Sequence, residues 1–360
     1  MKIKSADFPP KQPHRFLTRL RASIIIPTRD RMRDLSGCLR AVRKSASGLR
    51  GRAEVIVVDD GSRDGTPAMV RKLARIWGRR LPLRLIHLNK PHGPATARNR
   101  GARAARSETL VFTDSDCIPK PGWFGAILSA ISRHPEADVV EGRTLPNLRP
   151  PHGIHDHSVE NRNGKRWLTC NLAVKRSAFL NAGGFDEHYR RPVREDTDFA
   201  FAMLECGART FFSRNAVVVH PVRAGGPGKF LREAKQGIYE PLIFAKYPLL
   251  YLTKLKWLDG YAFPAWYLGF YAGAVWAILM WMGTVPAGSR GITGAVILGA
   301  GALLASVLAR IRGRRWTAGE LPALALESLI VPFIRLWWVA LGCLWVLGLA
   351  LVGRLRKSGG

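Results

Sequence analysis

Apolar and polar positions divide the chain into two regions that meet near residue 260. In the first region, short β-branched runs alternate with longer segments whose apolar residues recur at helical spacing. Four runs are typical of buried parallel strands: ASIIIPT (22–28), AEVIVVDD (53–60), LRLIHL (83–88) and ETLVFTD (108–114). Between them, Leu35–Ser47 and Thr66–Trp77 are predicted helices, the second with Pro67 in its first turn. Such repeats predict an α/β fold with a mostly parallel, Rossmann-like sheet and flanking helices.

Beyond residue 260 the pattern becomes that of membrane segments. Uncharged runs cover 260–289, 291–309 and 336–353, and a bilayer is crossed by about 20 apolar residues. We therefore expect a transmembrane region at 260–353 with about three hydrophobic segments. The stretch Leu321–Ile334 contains Glu327 and two prolines, so it either lies in the interface or forms part of a re-entrant hairpin. Residues 228–259 mix basic and aromatic residues and are predicted to form interfacial or linker helices.

Charge narrows the range of partners. The 360 residues carry a formal net charge of +30, which favours nucleic acid, anionic lipid headgroups or phosphorylated substrates. No known nucleic-acid motif accompanies this charge, so nucleic acid is not an expected partner. The basic tail at 1–20 lacks the apolar core of a signal peptide, and 310–316 is a basic loop expected to face the cytoplasm. A second basic tail occupies 354–360.

Acidic residues follow the predicted strands. Asp114 and Asp116 come directly after the fourth strand, and like charges so close repel each other unless a positive group lies between them. In parallel sheets, ligands bind beyond the carboxyl ends of the strands. Two carboxylates there can bind a divalent cation, Mg²⁺ or Mn²⁺, together with diphosphate oxygens. Such a cation would neutralise charge on a departing nucleoside diphosphate.

Six segments in order strengthen this interpretation. They are SIIIPTRDR, VIVVDDGSRDGT, GPATARNRGA, VFTDSDC, NLAVKRSAFLNAGGFDE and REDTDFAFAMLECG. Together they resemble the successive motifs of family 2 glycosyltransferases, which have the GT-A fold. The resemblance covers roughly residues 21–225 and places a glycosyltransferase domain at 21–227. It implies a nucleotide-sugar donor, a divalent cation and inversion at the anomeric carbon.

The resemblance also implies roles for individual residues. The positions matched to the nucleotide and sugar are Pro27, Thr28, Asp30 (usually Asn in the family), Asp59, Asp60, Arg98 and Asp114. Those matched to an acceptor-side loop are Gly183, Gly184, Phe185 and Asp186. The metal motif is matched by Asp114 and Asp116, and His220 is a further candidate metal ligand. His152, His155 and His157 are spaced too loosely for a zinc site and look like part of an acceptor-side loop.

An inverting transfer also needs a general base opposite the leaving group, from a different segment than the metal motif. The segment REDTD offers Glu195, Asp196 and Asp198, and residue chemistry alone does not separate them. The family pattern favours Asp196, with Glu195 beside it. The Gln-x-x-Arg-Trp motif of processive members is missing around GKRW (164–167), which favours addition of a single sugar.

The leading hypothesis is a metal-dependent glycosyltransferase at the cytoplasmic face of the inner membrane, anchored by several spans. It would use a nucleotide-diphosphate sugar, with UDP-sugars favoured, and a glycan or lipid-linked acceptor. Two alternatives remain open at this point: an inactive membrane-anchored scaffold that binds sugar nucleotides, and, more weakly, a basic nucleic-acid-binding protein.

Overall fold

The structure is a computed structural model in which the chain divides into two compact units. The described residues are 21–48, 53–226, 228–259, 266–282 and 289–353. The predicted basic tails at 1–20 and 354–360 lie outside the described residues. Of the described residues, the first unit contains 21–147 and Val159–Pro221, and the second contains Leu148–Ser158 and Val222–Gly353.

One eight-stranded mixed sheet forms the first unit. Its strands are β1 (Ala22–Thr28), β2 (Ala53–Asp59), β3 (Leu83–His87), β4 (Thr109–Phe112), β5 (Ile118–Pro119), β6 (Val139–Pro146), β7 (Leu172–Lys175) and β8 (Thr210–His220). Their order across the sheet is β3-β2-β1-β4-β7-β6-β8-β5. Strands β1 to β4 pair in parallel with one another, and β6 pairs in parallel with β8. Strand β7 pairs antiparallel with both β4 and β6, and β5 pairs antiparallel with β8. The four strands predicted from sequence are β1 to β4, and the predicted α/β fold is confirmed.

Helices cover both faces of this sheet. They are α1 (Met32–Ser45), α2 (Thr66–Trp77), α3 (Pro94–Ala104), α4 (Trp123–Arg133), α5 (Arg176–Asn181) and α6 (Glu195–Glu205). The predicted helix at Leu35–Ser47 is α1, which begins three residues earlier, and α2 has the predicted bounds. Asp64 forms a local turn just before α2, in which its Oδ1 accepts a hydrogen bond from the Thr66 backbone N–H at 2.9 Å.

Alternating side chains of β1 separate the two layers of the core. Ile24 and Ile26 are buried in the same cluster as Leu35 of α1, whereas Ile25 lies on the opposite face beneath α3. Both faces of this strand are therefore dry, as a central parallel strand requires. The packing fixes the carboxyl ends of β1, β2 and β4 at one edge of the sheet.

The close approach of α3 to the sheet predicts an opposite response at two helical glycines. A Cβ on Gly101 would lie 2.4 Å from Ile25 Cγ2 and 3.2 Å from Val58 Cγ2. Gly101→Ala should therefore lower the free energy of unfolding by about 1–3 kcal/mol through overpacking. In α1, the nearest atom to a Cβ on Gly37 is 3.5 Å away, so Gly37→Ala should raise stability by about 0.5–1 kcal/mol. Thermal unfolding of the two purified variants measures this, and shifts of the same sign would contradict the packing.

The second unit is helical apart from isolated bridges. Its helices are α7 (Lys229–Ala234), α8 (Glu240–Lys246), α9 (Pro248–Asp259), α10 (Trp266–Trp281), α11 (Ser289–Ile311) and α12 (Leu321–Leu351). The segment Leu148–Ser158, which lies between β6 and β7 in the sequence, packs within this unit. The helical character expected of 228–259 is present in α7 to α9, and an interfacial location for them stays a prediction.

The predicted transmembrane region is helical in its described residues, and the expected number of about three hydrophobic segments stays a prediction. Among the described residues, two helices are long and apolar enough to cross a bilayer, over Ile292–Ile311 and Ala318–Leu351, and the apolar part of α10 is shorter, at Gly269–Met280. Parts of the first uncharged run, 260–265 and 283–288, lie outside the described residues. Instead of a re-entrant hairpin, Leu321–Ile334 joins the last apolar run in one helix, α12. Pro332 is accommodated inside α12, and its carbonyl accepts a hydrogen bond from Tyr271 Oη at 2.9 Å.

Candidate active site

A buried guanidinium joins acidic residues from two distant segments. Arg98 lies on α3 with 4% of its side chain exposed. Its Nη2 donates to Asp114 Oδ1 at 2.9 Å, and its Nη1 donates to Glu195 Oε1 at 3.1 Å and lies 3.9 Å from Asp196 Oδ1. Burial alone would lower the pKa of Arg98, but the carboxylates around it raise that pKa above its ordinary value. Arg98 is therefore a fixed positive charge between the predicted donor side and the predicted base.

The two acids that follow β4 differ in their contacts and in their exposure. Asp114 contacts Arg98 and keeps 30% of its side chain exposed. Asp116 is 7% exposed and accepts a hydrogen bond from Arg31 Nη1 at 2.8 Å. Its other oxygen, Oδ1, lies 3.9 Å from His220 Nε2. The repulsion expected between the two carboxylates is thus offset by a separate guanidinium on each.

Strand pairing explains why Asp116 and His220 meet. The two-residue strand β5 pairs antiparallel with the end of β8, with Ile118 opposite Val219. This register brings the residue two before β5 to the residue that ends β8. Ligand atoms of Asp116, Cys117 and His220 all lie within 4.8 Å of one another. The predicted partnership of His220 with the acidic motif is present in the geometry, and its role as a metal ligand stays a prediction.

The chemistry of these three groups suits a hard cation better than zinc. Burial raises the pKa of the Cys117 thiol well above its ordinary value, which makes a thiolate ligand unfavourable. His220 Nδ1 lies 3.1 Å from the Pro221 carbonyl oxygen, and donation there leaves the lone pair of Nε2 toward Asp116. A carboxylate with a neutral imidazole, completed by diphosphate oxygens, is a ligand set that Mg²⁺ or Mn²⁺ accepts.

The structure separates the three acids at the start of α6. Glu195 is 5% exposed and is committed to Arg98. Asp198 is fully buried, and its Oδ1 accepts a hydrogen bond from Tyr189 Oη at 3.3 Å. Asp196 is 30% exposed, and its Oδ1 accepts from Thr169 Oγ1 at 2.8 Å. Of the three, Asp196 has the carboxylate that an acceptor can reach.

Burial and mutual repulsion also change how these acids titrate. Desolvation, followed by the charge of Asp196, raises the pKa of Glu195 to about 8, while Arg98 opposes this shift. Desolvation likewise raises the pKa of Asp196, against the opposing charge of Arg98. The pair therefore holds a proton at neutral pH that the same residues lose in the unfolded chain.

This proton predicts a pH dependence of stability. Between the ordinary pKa of a glutamate and about 8, the folded chain binds more protons than the unfolded chain, so stability falls as pH rises through that window. One extra proton corresponds to about 1.4 kcal/mol per pH unit. Thermal unfolding between pH 5.5 and 8.5 should show this loss, and Glu195→Gln should flatten the slope. The exposed Glu205 on the same helix provides the control, because Glu205→Gln should leave the slope unchanged. An unaltered slope in Glu195→Gln would refute the assignment.

The acidic pair at the end of β2, Asp59 and Asp60, is engaged in contacts with other residues of the chain. Asp59 is fully buried, and its Oδ2 lies 2.6 Å from His87 Nδ1. The two oxygens of Asp60 accept hydrogen bonds from the backbone N–H groups of His92 and Gly93, both at 2.8 Å. These contacts shape the loop that leads into α3. Direct contact of either acid with a nucleotide stays a prediction.

The turn after β1 is more open. Asp30 has φ +50° and accepts a hydrogen bond from the Arg63 N–H at 2.7 Å. Pro27 and Thr28 end the strand at the same edge. The Thr28 hydroxyl is buried and has no hydrogen-bond partner in the described part of the chain. A buried hydroxyl of this kind is available to a bound nucleotide.

The predicted acceptor-side loop lies largely in the interior. Phe185 is fully buried and stacks on Phe199 with ring centroids 4.4 Å apart. Asp186 is 1% exposed and contacts His188 Nδ1 at 2.7 Å. Gly183 and Gly184 both have positive φ and form the turn that directs Phe185 inward. The structure thus gives these four residues a packing role, and acceptor contact stays a prediction.

Sequence reasoning missed three residues that organise the site. Arg31 binds Asp116, and Thr169 holds Asp196 through its hydroxyl and its backbone N–H. The Asn99 side chain forms two hydrogen bonds with the Phe185 backbone, at 2.9 and 3.0 Å. Arg31 stands next to a motif residue, which was a usable signal, whereas nothing local distinguishes Thr169.

The sequence is similar to that of known glycosyltransferases. Residues 23–190 match the model of glycosyl transferase family 2. The chain is 28% identical over 215 residues to the glycosyltransferase AglE of Haloferax volcanii, covering 57% of this chain and 68% of that protein. It is also 28% identical over 368 residues to the pre-mycofactocin glycosyltransferase of Mycobacterium tuberculosis, covering 97% of this chain. The chain spans 66% of the length of that mycobacterial relative.

The chain also matches solved structures at low sequence identity. The mannosyltransferase PcManGT of Pyrobaculum calidifontis, solved with GDP-Man and Mn²⁺, is 20% identical, with a TM-score of 0.49 over 97% of this chain and 90% of that one. Residues 1–349 of TarS from S. aureus, in complex with UDP, are 18% identical, with a TM-score of 0.48 over 88% of this chain and 90% of that one.

Proposed function

We propose that this GT-A glycosyltransferase, whose residues 23–190 match the model of glycosyl transferase family 2, is an inverting, metal-dependent enzyme. It moves one sugar from a nucleotide-diphosphate sugar to an acceptor hydroxyl at the cytoplasmic face of a membrane. Synthesis of cell-envelope glycans or glycolipids is the setting that such a reaction fits.

The observation that carries the proposal is the buried guanidinium of Arg98 between two acidic sites. Arg98 holds Asp114 on one side and Glu195 with Asp196 on the other, although the two segments are some 80 residues apart in sequence. An inverting transfer requires this separation of roles, because the nucleophile is activated opposite the departing diphosphate. The arrangement supports Asp114 and Asp116 on the donor side and Asp196 on the acceptor side.

Asp196 fits the general base by access and by orientation. Thr169 fixes its carboxylate with two hydrogen bonds, at 2.8 and 3.2 Å, while part of the side chain remains exposed. In the proposed step, Asp196 accepts the proton of the acceptor hydroxyl as its oxygen forms the new bond to the anomeric carbon. The bond between that carbon and the diphosphate oxygen breaks, and its electrons leave with the nucleoside diphosphate. Glu195, which Arg98 holds in the interior, positions the base rather than touching the acceptor.

Asp116 and His220 fit a divalent cation through their oxygen and imidazole atoms. When bound there, the cation supplies charge neutralisation for the leaving diphosphate. Arg31 contacts Asp116 and Arg98 contacts Asp114, so each arginine keeps one acid of the motif in place. Cys117 is the neighbour least suited to join as a ligand, for the reason of its raised pKa.

Apolar surface on the second unit supports membrane association. Val296 and Ile297 of α11 are 62% and 64% exposed, and Leu344 and Leu347 of α12 are 66% and 59% exposed. Water would penalise such a surface, and lipid tails would cover it. The basic turn between α11 and α12 supports a cytoplasmic location for that end of the two helices.

A donor screen tests the proposal. We expect one of a set of UDP-, GDP- and TDP-sugars to raise the thermal stability of the full chain in detergent with Mg²⁺ or Mn²⁺ present. The same donor should be hydrolysed slowly in a metal-dependent reaction. Stabilisation without any turnover would instead support the inactive scaffold. Steeply salt-dependent DNA binding with sequence preference, and no response to any donor, would support the nucleic-acid alternative.

A further inference from the structure

Within the second unit, the segment Leu148–Ser158 brings its histidines to a cluster of basic side chains. Isolated bridges join Gly153 to Arg315 and His157 to Arg223. The Arg315 backbone N–H also donates to the His152 carbonyl at 2.8 Å. This segment, called the histidine loop below, is thereby held against the turn between α11 and α12.

Three basic side chains surround a single phenyl ring at this place. The Phe230 centroid lies 4.2 Å from Arg310 Cζ, 5.5 Å from Lys229 Nζ and 5.5 Å from the centroid of the His155 ring. Lys229 Nζ also donates to the Asp156 carbonyl at 2.9 Å, which ties α7 to the histidine loop. Burial lowers the pKa of Lys229, and the nearby charge of Arg314 lowers it further. Glu233 opposes this shift, because its Oε1 lies 3.7 Å from Lys229 Nζ. Arg310 and Arg314 add two further positive charges to this cluster.

The same place contains buried polar atoms without hydrogen-bond partners among the described residues. They are His152 Nδ1, His155 Nε2, Arg314 Nη1 and Glu327 Oε2. His155 and Glu327 are 8% and 5% exposed, and their two atoms lie 3.6 Å apart, too far for a hydrogen bond. Arg314 Nη1 is a donor, and the two histidine nitrogens can donate as well, whereas the Glu327 oxygen only accepts. The cluster therefore offers donors to an anionic guest.

Helix length places the cluster at the depth of lipid headgroups. The 31 residues of α12 span about 46 Å, whereas the hydrocarbon core needs about 20 residues. The uncharged run after Arg335, 336–353, approaches that length, so in the proposed membrane location Glu327 and Ser328 lie outside the hydrocarbon core. Arg310, in the last turn of α11, donates to Ser328 Oγ at 3.0 Å and shares that level.

We propose that this cluster binds the phosphate or diphosphate headgroup of a lipid-linked acceptor. Arg310 and Arg314 supply the guanidinium donors that phosphate oxygens prefer, and His152 adds a ring nitrogen. The Glu327 carboxylate is already engaged within the protein, because its Oε1 accepts a hydrogen bond from the Gly228 N–H and its Oε2 faces His155 Nε2 at 3.6 Å. The inference rests on the proposed function, in which Asp196 activates a hydroxyl of the acceptor, and it assigns the phosphate an anchoring role.

Binding of farnesyl diphosphate to the full chain in detergent tests the proposal without requiring turnover. With EDTA present, farnesyl diphosphate should raise the melting temperature, whereas farnesol, inorganic pyrophosphate and phosphatidylglycerol at equal concentration should have little effect. Arg314→Gln and Arg310→Gln should each weaken binding about 10- to 100-fold, the value of one charge-assisted hydrogen bond to phosphate. Arg312→Gln removes the same charge from an exposed position of the same turn and should weaken binding less than threefold.

Asp116→Asn separates this site from the candidate active site, because it should leave the response to farnesyl diphosphate intact. Equal losses in Arg312→Gln and Arg314→Gln, or equal binding of phosphatidylglycerol, would overturn the proposal in favour of a general basic surface. Binding that survives both Arg310→Gln and Arg314→Gln would also overturn it. Donor hydrolysis is measured in parallel on the same preparations. If hydrolysis is absent while farnesyl diphosphate binds as expected, the proposed function fails and the lipid site stands.

Discussion

Asp196→Asn is expected to lower the turnover number for sugar transfer by between about 10²- and 10⁴-fold. The substitution keeps the size of the side chain and an oxygen that accepts from Thr169, so the fold of α6 should persist. What it removes is the basic oxygen that takes the acceptor proton. The measurement is single-turnover transfer from the donor that the screen identifies. Affinity for that donor should change little, because Asp196 lies on the acceptor side.

Two variants on the same helix control this result. Glu205→Gln changes an exposed acid and should retain nearly full activity. Glu195→Gln removes the partner of Arg98 without removing the exposed carboxylate, so its loss should be smaller than that of Asp196→Asn. If Glu195→Gln is the more damaging, Glu195 is the base and the assignment by exposure is wrong. Asp196→Asn could instead stay active with a lipid monophosphate as the acceptor. A phosphate oxygen is already ionised and needs no general base, so that result would show that the acceptor group is a phosphate rather than the proposed hydroxyl.

Asp116→Asn is expected to remove both metal-dependent activity and metal-dependent donor binding. A cation held there would neutralise charge in the transition state, a contribution of roughly several kcal/mol. The turnover number should therefore fall by more than about 10²-fold. The variant should also lose the stabilisation that Mn²⁺ with donor gives to the wild-type chain, which thermal unfolding records. His220→Asn should shift the metal concentration needed for half-maximal activity about 10- to 100-fold while leaving the activity at saturating metal closer to normal.

The exposed Asp34 in α1 is the matched control for lost charge, and Asp34→Asn should have less than a twofold effect. Wild-type metal response in Asp116→Asn would exclude this carboxylate as a ligand. The pair Asp116 and His220 would then be a structural contact that joins β5 to β8. Activity unaffected by chelators in the wild-type chain would remove the metal from the mechanism altogether.

Arg98 connects the two predictions. It contacts Asp114 through Nη2 and Glu195 through Nη1, so the donor and acceptor sides share one buried charge. The resemblance implies a role near the nucleotide for this residue. The structure instead shows its two terminal nitrogens engaged with carboxylates, and any contact with a nucleotide stays a prediction. Its positive charge opposes the rise that burial causes in the pKa values of Glu195 and Asp196, and so favours the ionised form that Asp196 needs to act as a base.

The sequence by itself determined the fold class and the edge of the sheet where chemistry occurs. Both follow from local signals: β-branched runs, helical periodicity and acidic residues directly after strands. Motif order extended this to family membership, which the match over 23–190 bears out. Length and apolarity also indicated membrane segments, although whether Leu321–Ile334 continued into the next run could not be read, because a proline inside an apolar helix is compatible with either outcome.

Only the tertiary structure distinguished residues that are similar in type and in sequence context. Glu195, Asp196 and Asp198 look alike in sequence, and only packing leaves Asp196 exposed while it buries the other two. Only the β5–β8 register brings His220 to Asp116, and only the fold places the histidine loop beside Arg310 and Phe230. The physical reason is common to all three. Exposure, electrostatic environment and long-range contact depend on groups far apart in the chain, whereas residue type and spacing report only what is near in sequence.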